Sequence, residues 1–122
     1  IINAFKSLRA EGIKRTSYNI IGLPEQTENM IKESIKFNTL IDPDNITVAF
    51  YSPYIGTIEQ VKSQELSYFD DYEYHVDGQL RSVSKSSLVD KELLEFYKNF
   101  FTYFEKNGFE KLEELKKNAG II

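Results

Sequence analysis

The sequence predicts an α/β fold with parallel strands, followed by a mainly helical C-terminal extension. Two short runs rich in Ile, Thr and Tyr, residues 15–21 and 46–51, have the composition of strands. The segment between them has helical periodicity, and a helix that bridges two strands is typical of a right-handed βαβ unit with parallel strands. Parallel sheets are buried on both faces, so these two strands need neighbours. We divide the chain into a βαβ segment, residues 1–57, and an extension, residues 58–122.

A short helix is predicted at the start of the chain. Ile1, Phe5 and Leu8 recur at helical spacing, and Gly12 follows as a left-handed cap. Ile13 then stands where a Schellman motif packs it against Leu8. Because the chain begins inside this helix and without Met, we expect it to be a fragment of a longer polypeptide.

The bridging helix has two recognisable ends. Thr27 is the expected N-cap, because its hydroxyl can accept a hydrogen bond from an N–H of the first turn. Asp42 precedes Pro43, and the residue before proline avoids helical geometry, so the helix is expected to end there. Its one broad apolar face consists of Met30, Ile31, Ile35, Phe37 and Ile41.

The first half of the extension is predicted to contain a short helix and a hairpin. The helix covers residues 59–66, and the hairpin covers residues 72–83 around Asp77-Gly78, a type I′ turn signal. His75, the only histidine, lies in this hairpin, and we interpret it as a surface residue rather than a ligand or base. With one histidine and no cysteine, the chain cannot build a His-cluster metal site or a Cys–His pair.

Two helices are predicted at the end of the chain, at about residues 88–106 and 109–118. Ser87 is expected to open the first of them, with Asp90 in the capping-box position three residues later. This helix carries an aromatic face made of Leu93, Phe96, Tyr97, Phe100, Phe101 and Phe104. At helical spacing and without interleaved Lys or Arg, such a face favours a core or an interface over base stacking.

Composition excludes several functional classes. A net charge of −4 without a basic run argues against a nucleic-acid surface. No apolar stretch approaches the roughly 20 residues of a membrane span, and no signal peptide is visible, so we expect a cytoplasmic protein. The absence of cysteine excludes a disulfide, a thiolate nucleophile and a Cys-ligated metal in this chain. We interpret the acidic pairs Asp70-Asp71 and Asp42/Asp44 as solvated loop charges.

The stretch "YNIIGLPEQT", residues 18–27, admits two interpretations. It is either a plain βα turn, in which Gly22 gives backbone freedom and Pro24 fixes φ, or a loop that holds a ligand. Ligands on α/β sheets gather at the carboxyl ends of parallel strands. A second glycine-containing junction, "YSPYIGT" at residues 51–57, follows the other strand at the same end. The two loops together favour the ligand interpretation more than either does alone.

The segments "GIKRTSYNIIGLPEQTENMIKESIKF" and "LIDPDNITVAFYSPYIGT" together resemble the late half-barrel of radical S-adenosylmethionine enzymes. They are most similar to the subgroup that often carries a cobalamin-binding domain ahead of the radical domain. In that family a strand ends in a "GxIxGxxE"-like motif, usually followed by Gly-Leu-Pro and a helix, and a strand with a "PYPGT"-like loop comes next. Residues 72–103 resemble the family's C-terminal extension more loosely. The resemblance implies a partial (βα)-barrel fragment.

Ile20, Gly22 and Glu25 match the second, third and fourth marked positions of that motif, whereas Tyr18 stands where the first glycine would be. Glu25-Gln26 also replaces the commoner Gly-Glu, and Ile55 replaces the second proline. The resemblance implies that the adenine side of an S-adenosylmethionine pocket is formed here by Ile20, Gly22, Leu23, Glu25, Ser52 and Pro53.

The resemblance implies that the intact protein cleaves S-adenosylmethionine at a [4Fe-4S] cluster and uses the resulting radical to take a hydrogen atom from a substrate. The cluster is held in that family by a CxxxCxxC loop, which would lie upstream of Ile1, so this chain alone would be inactive. The implied partners are the small-molecule cofactor and the rest of the same polypeptide, and use of cobalamin is left open. The alternative is a non-catalytic protein-interaction domain that docks through its aromatic helix. Uncharged strands also predict self-association of the fragment.

Overall fold

Six elements make up the part of the chain that the computed structural model describes, residues 1–51 and 89–121. In chain order they are α1 (Ile2–Ala10), β1 (Thr16–Ile21), α2 (Glu28–Ile41), β2 (Asn45–Phe50), α3 (Lys91–Asn107) and α4 (Leu112–Asn118). The two strands pair in parallel, from Thr16 opposite Asn45 to Ile21 opposite Phe50. The predicted α/β class with a parallel pair is therefore confirmed. The predicted helix at residues 59–66 and the hairpin at 72–83 lie outside the described residues.

The end of α1 has the predicted Schellman geometry. Gly12 adopts a φ of 73°, its N–H donates to the carbonyl of Arg9 at 2.9 Å, and the N–H of Ile13 donates to the carbonyl of Leu8 at 2.9 Å. No residue of α1 is buried, and Ile1 and Leu8 expose their apolar side chains. Hydrogen bonding thus sets the end of this helix, while packing contributes little to it.

Both ends of α2 lie where the sequence placed them. The hydroxyl of Thr27 accepts from the N–H of Met30 at 3.3 Å, and the helix ends at Ile41. Asp42 follows in the left-handed region with a φ of 45°, a conformation that costs a non-glycine residue free energy. The hydrogen bonds that hold this residue therefore matter to the α2–β2 connection.

The buried face of α2 is narrower than predicted. Ile31, Ile35 and Ile41 are buried, but Met30 and Phe37 are exposed. Each of these two residues precedes a buried position by one residue, about 100° around the helix, which places it at the edge of the stripe. The position between Ile35 and Ile41 that completes the stripe belongs to the polar residue Asn38.

A polar cluster joins α2 to β1. The hydroxyl of Ser17 donates to Oδ1 of Asn38 at 2.6 Å, and Nδ2 of Asn38 donates to Oδ1 of Asn19 at 2.9 Å and to the carbonyl of Ser34 at 2.8 Å. Nδ2 of Asn19 completes the cluster by donating to the Ser17 hydroxyl at 3.0 Å. Because buried polar groups are costly when unpaired, this arrangement favours one alignment of helix on strand.

The core lies between the covered face of the sheet and the two helices α2 and α3. It consists of Ile21, Ile31, Ile35, Val89, Leu94, Phe96, Tyr97, Phe101, Phe104 and Leu112. Ile46, Val48 and Phe50 of β2 pack against it from the sheet, and the ammonium of Lys98 lies 4.8 Å from the centre of the Phe50 ring. The aromatic face predicted for the helix after Ser87 is therefore mostly core.

The predicted start of α3 is wrong by three residues. Asp90, not Ser87, is the N-cap, and its carboxylate accepts from the N–H of Leu93 at 2.9 Å. A carboxylate caps a helix and also interacts favourably with the positive end of the helix dipole, which accounts for the later start. The final helix also begins later than predicted, at Leu112.

Glu28, at the first position of α2, connects three helices. Its Oε1 accepts from the hydroxyl of Tyr97 at 2.6 Å and from the ammonium of Lys116 on α4. Burial by itself would raise the pKa of Glu28, but the hydrogen bonds from Lys116 and Tyr97 and the charges of Lys116 and Lys32 outweigh it and hold this pKa below its ordinary value. Burial and the neighbouring carboxylate raise the pKa of Tyr97.

Among the described elements, helices cover one face of the sheet and leave the other open. Ser17, Asn19 and Ile21 of β1 face α2, on the same side as the packed residues of β2. The opposite face carries Thr16, Tyr18, Ile20, Asn45, Thr47 and Ala49. All six are exposed, with Tyr18 80% and Ile20 55% accessible. We call these six residues the uncovered face.

Arg15 is a buried hub at the start of β1, only 5% exposed. Its guanidinium donates to the carbonyls of Phe5 (3.1 Å), Ile41 (3.3 Å) and Asp42 (2.8 Å), and its Nε donates to Oδ2 of Asp44 (3.3 Å). The backbone N–H of Arg15 also donates to Oδ2 of Asp44, at 2.8 Å. That bond, with the guanidinium charge, holds the pKa of Asp44 below its ordinary value. One side chain thus ties α1, β1 and the end of α2 together.

Replacing Arg15 with lysine is expected to destabilise the chain by about 2–3 kcal/mol, because one ammonium cannot serve three carbonyls in the geometry of a guanidinium fork. Urea unfolding followed by circular dichroism measures the change. Arg9→Lys is the matched control, since the side chain of Arg9 is 56% exposed and, among the described residues, pairs with Asp42; it should cost less than about 1 kcal/mol. Equal losses in the two variants would contradict the role given to Arg15.

Candidate functional site

The predicted site residues fall at the carboxyl end of β1. Ile20 is the second-last residue of β1. Gly22, Leu23 and Glu25 follow in the loop that leads to α2. Ser52 and Pro53 lie outside the described residues. The described half of the candidate site is therefore the end of β1 and the neighbouring end of β2.

The two strand ends are adjacent, as expected for a parallel pair. Ile20 is opposite Ala49 in the register, and both belong to the uncovered face. Pairing continues beyond the ladder, since the N–H of Tyr51 donates to the carbonyl of Ile21 at 2.8 Å. Tyr51 is buried. Tyr51, the first residue after β2, therefore lies beside the end of β1.

The loop after β1 is closed by a side chain. Gly22 is buried with a φ of 84°, and its N–H donates to Oε1 of Gln26 at 2.7 Å. Gln26 is only 8% exposed, so the amide is fixed in place. No site role was predicted for Gln26, which stood out only as a departure from the motif of the family that the chain resembles. A glutamine four residues after a glycine is too general a pattern to predict this bond.

A tight turn lies inside the same loop. The N–H of Gln26 donates to the carbonyl of Leu23 at 3.0 Å, which closes a four-residue β-turn with Pro24 at its second position. Glu25 occupies the third position with a φ of 64°. Proline second and a positive φ third are the features of a type II turn, which favours glycine where Glu25 stands. The turn interpretation of "GLPEQT" is therefore confirmed, and the loop lies at a strand end, while ligand binding by this loop stays a prediction.

The uncovered face offers contact surface but no Asp, Glu, His, Lys or Arg side chain. Its residues are a phenol, two hydroxyls, an amide and two aliphatic side chains, and none of them carries a charge. Tyr18 stands two residues before Ile20 on this face and opposite Thr47. Such a surface can hold a flat apolar group and donate hydrogen bonds from hydroxyls.

The described residues form no group of three or more His, Cys, Asp or Glu that could hold a metal ion. In the same ranges, no helix is long and apolar enough to cross a membrane. An open apolar groove lined by Ile1, Ile2, Asn3 and Phe37 belongs to α1 and α2 and includes none of the strand-end residues. The strand ends are thus the candidate site because of their topology rather than because of a deep cavity.

Comparison of the chain with protein-family models, with curated proteins and with solved structures found no match.

Replacing Glu25 with glycine is expected to stabilise the chain by about 0.5–1 kcal/mol, because the left-handed conformation strains a residue with a Cβ and does not strain glycine. Chemical denaturation measures the effect. The control is Glu33→Gly, an exposed position inside α2, where the same replacement should cost about 1 kcal/mol of helix propensity. Destabilisation by both variants would mean that Glu25 makes a contact worth more than the strain.

Proposed function

We propose that this chain is the late part of a radical S-adenosylmethionine domain, and that the ends of β1 and β2 form the adenine side of the cofactor pocket. One observation carries the proposal. The parallel pairing brings Ile20 and Ala49 together on a face that no described element covers, beside the loop held by Gly22 and Gln26. Ligand sites on α/β sheets are built at this end of the strands.

The residues present fit an adenine ring. Ile20 offers a branched apolar surface that is more than half exposed, and the small side chain of Ala49 beside it leaves room for a flat group. Gly22 has no side chain, so a ring can approach the loop backbone closely. In this role Ile20 and Ala49 would bind the ring face, and the Gly22 turn would fix the loop that borders it.

The uncovered face supports the barrel part of the proposal. Parallel strands are normally buried on both faces, and in a (βα)-barrel the inner faces of all strands meet one another and the ligand. Here α2 and α3 cover one face only. The remaining strands of a barrel would cover the other, and they would belong to the rest of the polypeptide.

The residues present do not fit an iron–sulfur cluster. The chain has no cysteine, so the cluster ligands would belong to a CxxxCxxC loop elsewhere in the polypeptide. When bound, S-adenosylmethionine would supply the radical chemistry of the intact enzyme. The residues of this chain hold its adenine and close the barrel, and the chain alone is inactive. Cobalamin stays an expectation from the family resemblance alone.

No observation favours the second candidate, a protein-interaction domain that docks through the aromatic helix. Phe96, Tyr97, Phe101 and Phe104 of α3 are buried in the core of this chain. Phe104 packs on Phe109 with ring centres 5.3 Å apart, and Phe96 on Tyr97 at 5.4 Å. The four buried rings of α3 are therefore not accessible to a partner without unfolding, although Phe100 on the same helix is partly exposed.

The direct test is the coding sequence upstream of Ile1. The proposal predicts a CxxxCxxC loop there, and an upstream sequence without one would overturn it. We also expect the 122-residue chain alone to bind S-adenosylmethionine with a Kd above about 1 mM, because half of the pocket is missing. Isothermal titration calorimetry measures this affinity. Micromolar binding by the chain alone would mean that it contains a complete site. This result would contradict the proposal that the chain forms only one side of the pocket.

In the polypeptide that carries the cysteine loop, Ile20→Ala should weaken binding of S-adenosylmethionine about tenfold through lost apolar contact. Thr16→Ala, on the same face at the other end of β1, is the matched control and should leave the affinity unchanged. A substitution at Gly22 is a poorer probe, since any side chain is strained at a φ of 84°. Equal affinity in Ile20→Ala and the wild type would contradict the adenine contact.

The isolated chain is also expected to self-associate, because its uncovered face and its strand edges are apolar or neutral and carry no charge against pairing. Light scattering across a dilution series measures the association. Tyr18→Lys should shift the chain towards monomer without unfolding it, since Tyr18 is 80% exposed. Glu33→Lys, which changes an exposed residue of α2, should not. A monomer at every concentration would rule out self-association.

A further inference from the structure

Glu105 is a buried carboxyl group without a partner. It lies in the last turn of α3, is 6% exposed, and its Oε2 is enclosed with no hydrogen-bond donor among the residues that the structure describes. Its own carbonyl accepts from the hydroxyl of Thr39 on α2 at 3.0 Å. The residue is therefore held at the contact between α2 and α3, with its Oε2 shielded from water.

The charges around Glu105 do not compensate its burial. Lys106, the next residue of α3, favours the carboxylate, whereas Asp42 at the end of α2 opposes it. Asp42 is itself paired with Arg9, and Arg15 donates to the Asp42 carbonyl rather than to Glu105. The carboxyl end of a helix also carries partial negative charge, which disfavours an anion in its last turn.

Burial, the largest of these effects, raises the pKa of Glu105 above its ordinary value. Glu28 shows the opposite case in the same fold: it is partly buried, but Tyr97 and Lys116 donate to it and its pKa is lowered. The difference between the two residues is the presence or absence of donors. A buried carboxyl without donors is far more stable as the neutral acid.

We propose that Glu105, through its enclosed and unpaired Oε2, is a proton-binding site of the folded chain, and that loss of the proton weakens the contact between α2 and α3. The contact joins the βαβ segment to the C-terminal extension, so the packing of the extension becomes sensitive to pH. The folded chain binds the proton more tightly than the unfolded chain. The stability that the site contributes is therefore complete below the ordinary pKa of glutamate and is lost as the pH rises through the raised pKa.

Urea unfolding of the 122-residue chain between pH 4 and 8 tests the proposal. The unfolding constant of the wild type, divided by that of Glu105→Gln, should rise by up to about tenfold for each pH unit between the ordinary pKa and the raised one. The control Glu95→Gln changes an exposed glutamate of the same helix and should follow the wild-type profile. Parallel profiles for the wild type and Glu105→Gln would overturn the proposal.

A second measurement needs neither unfolding nor a variant. The ¹³C shift of the Glu105 side-chain carboxyl, followed by NMR during a pH titration of the folded wild-type chain, reports its protonation directly. A midpoint above that of the exposed Glu95 supports the proton-binding site. A midpoint at or below that of Glu95 would overturn it, whatever the stability profiles show.

Discussion

The contacts of Arg15 are the constraint on which the rest of the described structure depends. Its guanidinium binds carbonyls at the end of α2 and in α1, while its own carbonyl accepts from the N–H groups of Asp44 (2.9 Å) and Asn45 (3.2 Å) at the start of β2. The residue therefore fixes where β1 begins relative to both α2 and β2. Because the side chains of a strand alternate, a shift of one residue would exchange the covered and uncovered faces. The position of Ile20 beside Ala49, at the far end of the sheet, follows from this arrangement.

Buried polar side chains set the alignment of α2 on its neighbours, which apolar packing alone does not specify. The cluster of Ser17, Asn19 and Asn38 has its buried hydrogen bonds satisfied, so it favours one alignment of α2 on β1. Glu28 does the same at the other end of α2 for α3 and α4. Glu105 departs from this pattern, since it is the buried carboxyl of the described ranges whose oxygen has no donor. The two satisfied sites therefore specify how α2 packs on its neighbours, and the unsatisfied one is the source of the proposed dependence on pH.

The sequence predicted those features that depend on neighbouring residues and missed those that depend on distant ones. Gly12 and Thr27 act within one helix turn, and the parallel pair follows from a bridging helix, so these features were predicted correctly. The N-cap at Asp90 was missed because two capping residues, Ser87 and Asp90, stand three residues apart, and the pattern did not rank the carboxylate above the hydroxyl. Asn38 and Gln26 gave no signal, because their partners are set by how α2 packs on β1 and by the fold of the loop. In the candidate site, the positions of Ile20 and Gly22 at the strand end were predicted, whereas the side chain that holds Gly22 was not.

The strained residues at the two ends of α2 differ in the contacts that support them. Glu25 precedes the helix and Asp42 follows it, and both are non-glycine residues with positive φ in the described part of the chain. At Asp42 the strain is offset by Arg9 and Arg15, which bind its carboxylate or its carbonyl. At Glu25 the only described support is the turn bond from Gln26 to Leu23 and the bond from Gly22 to Gln26. Strained residues tend to occur where a ligand or a neighbouring segment completes the structure. The less supported of the two ends is the one at the carboxyl ends of the strands, which is where the proposed cofactor would bind.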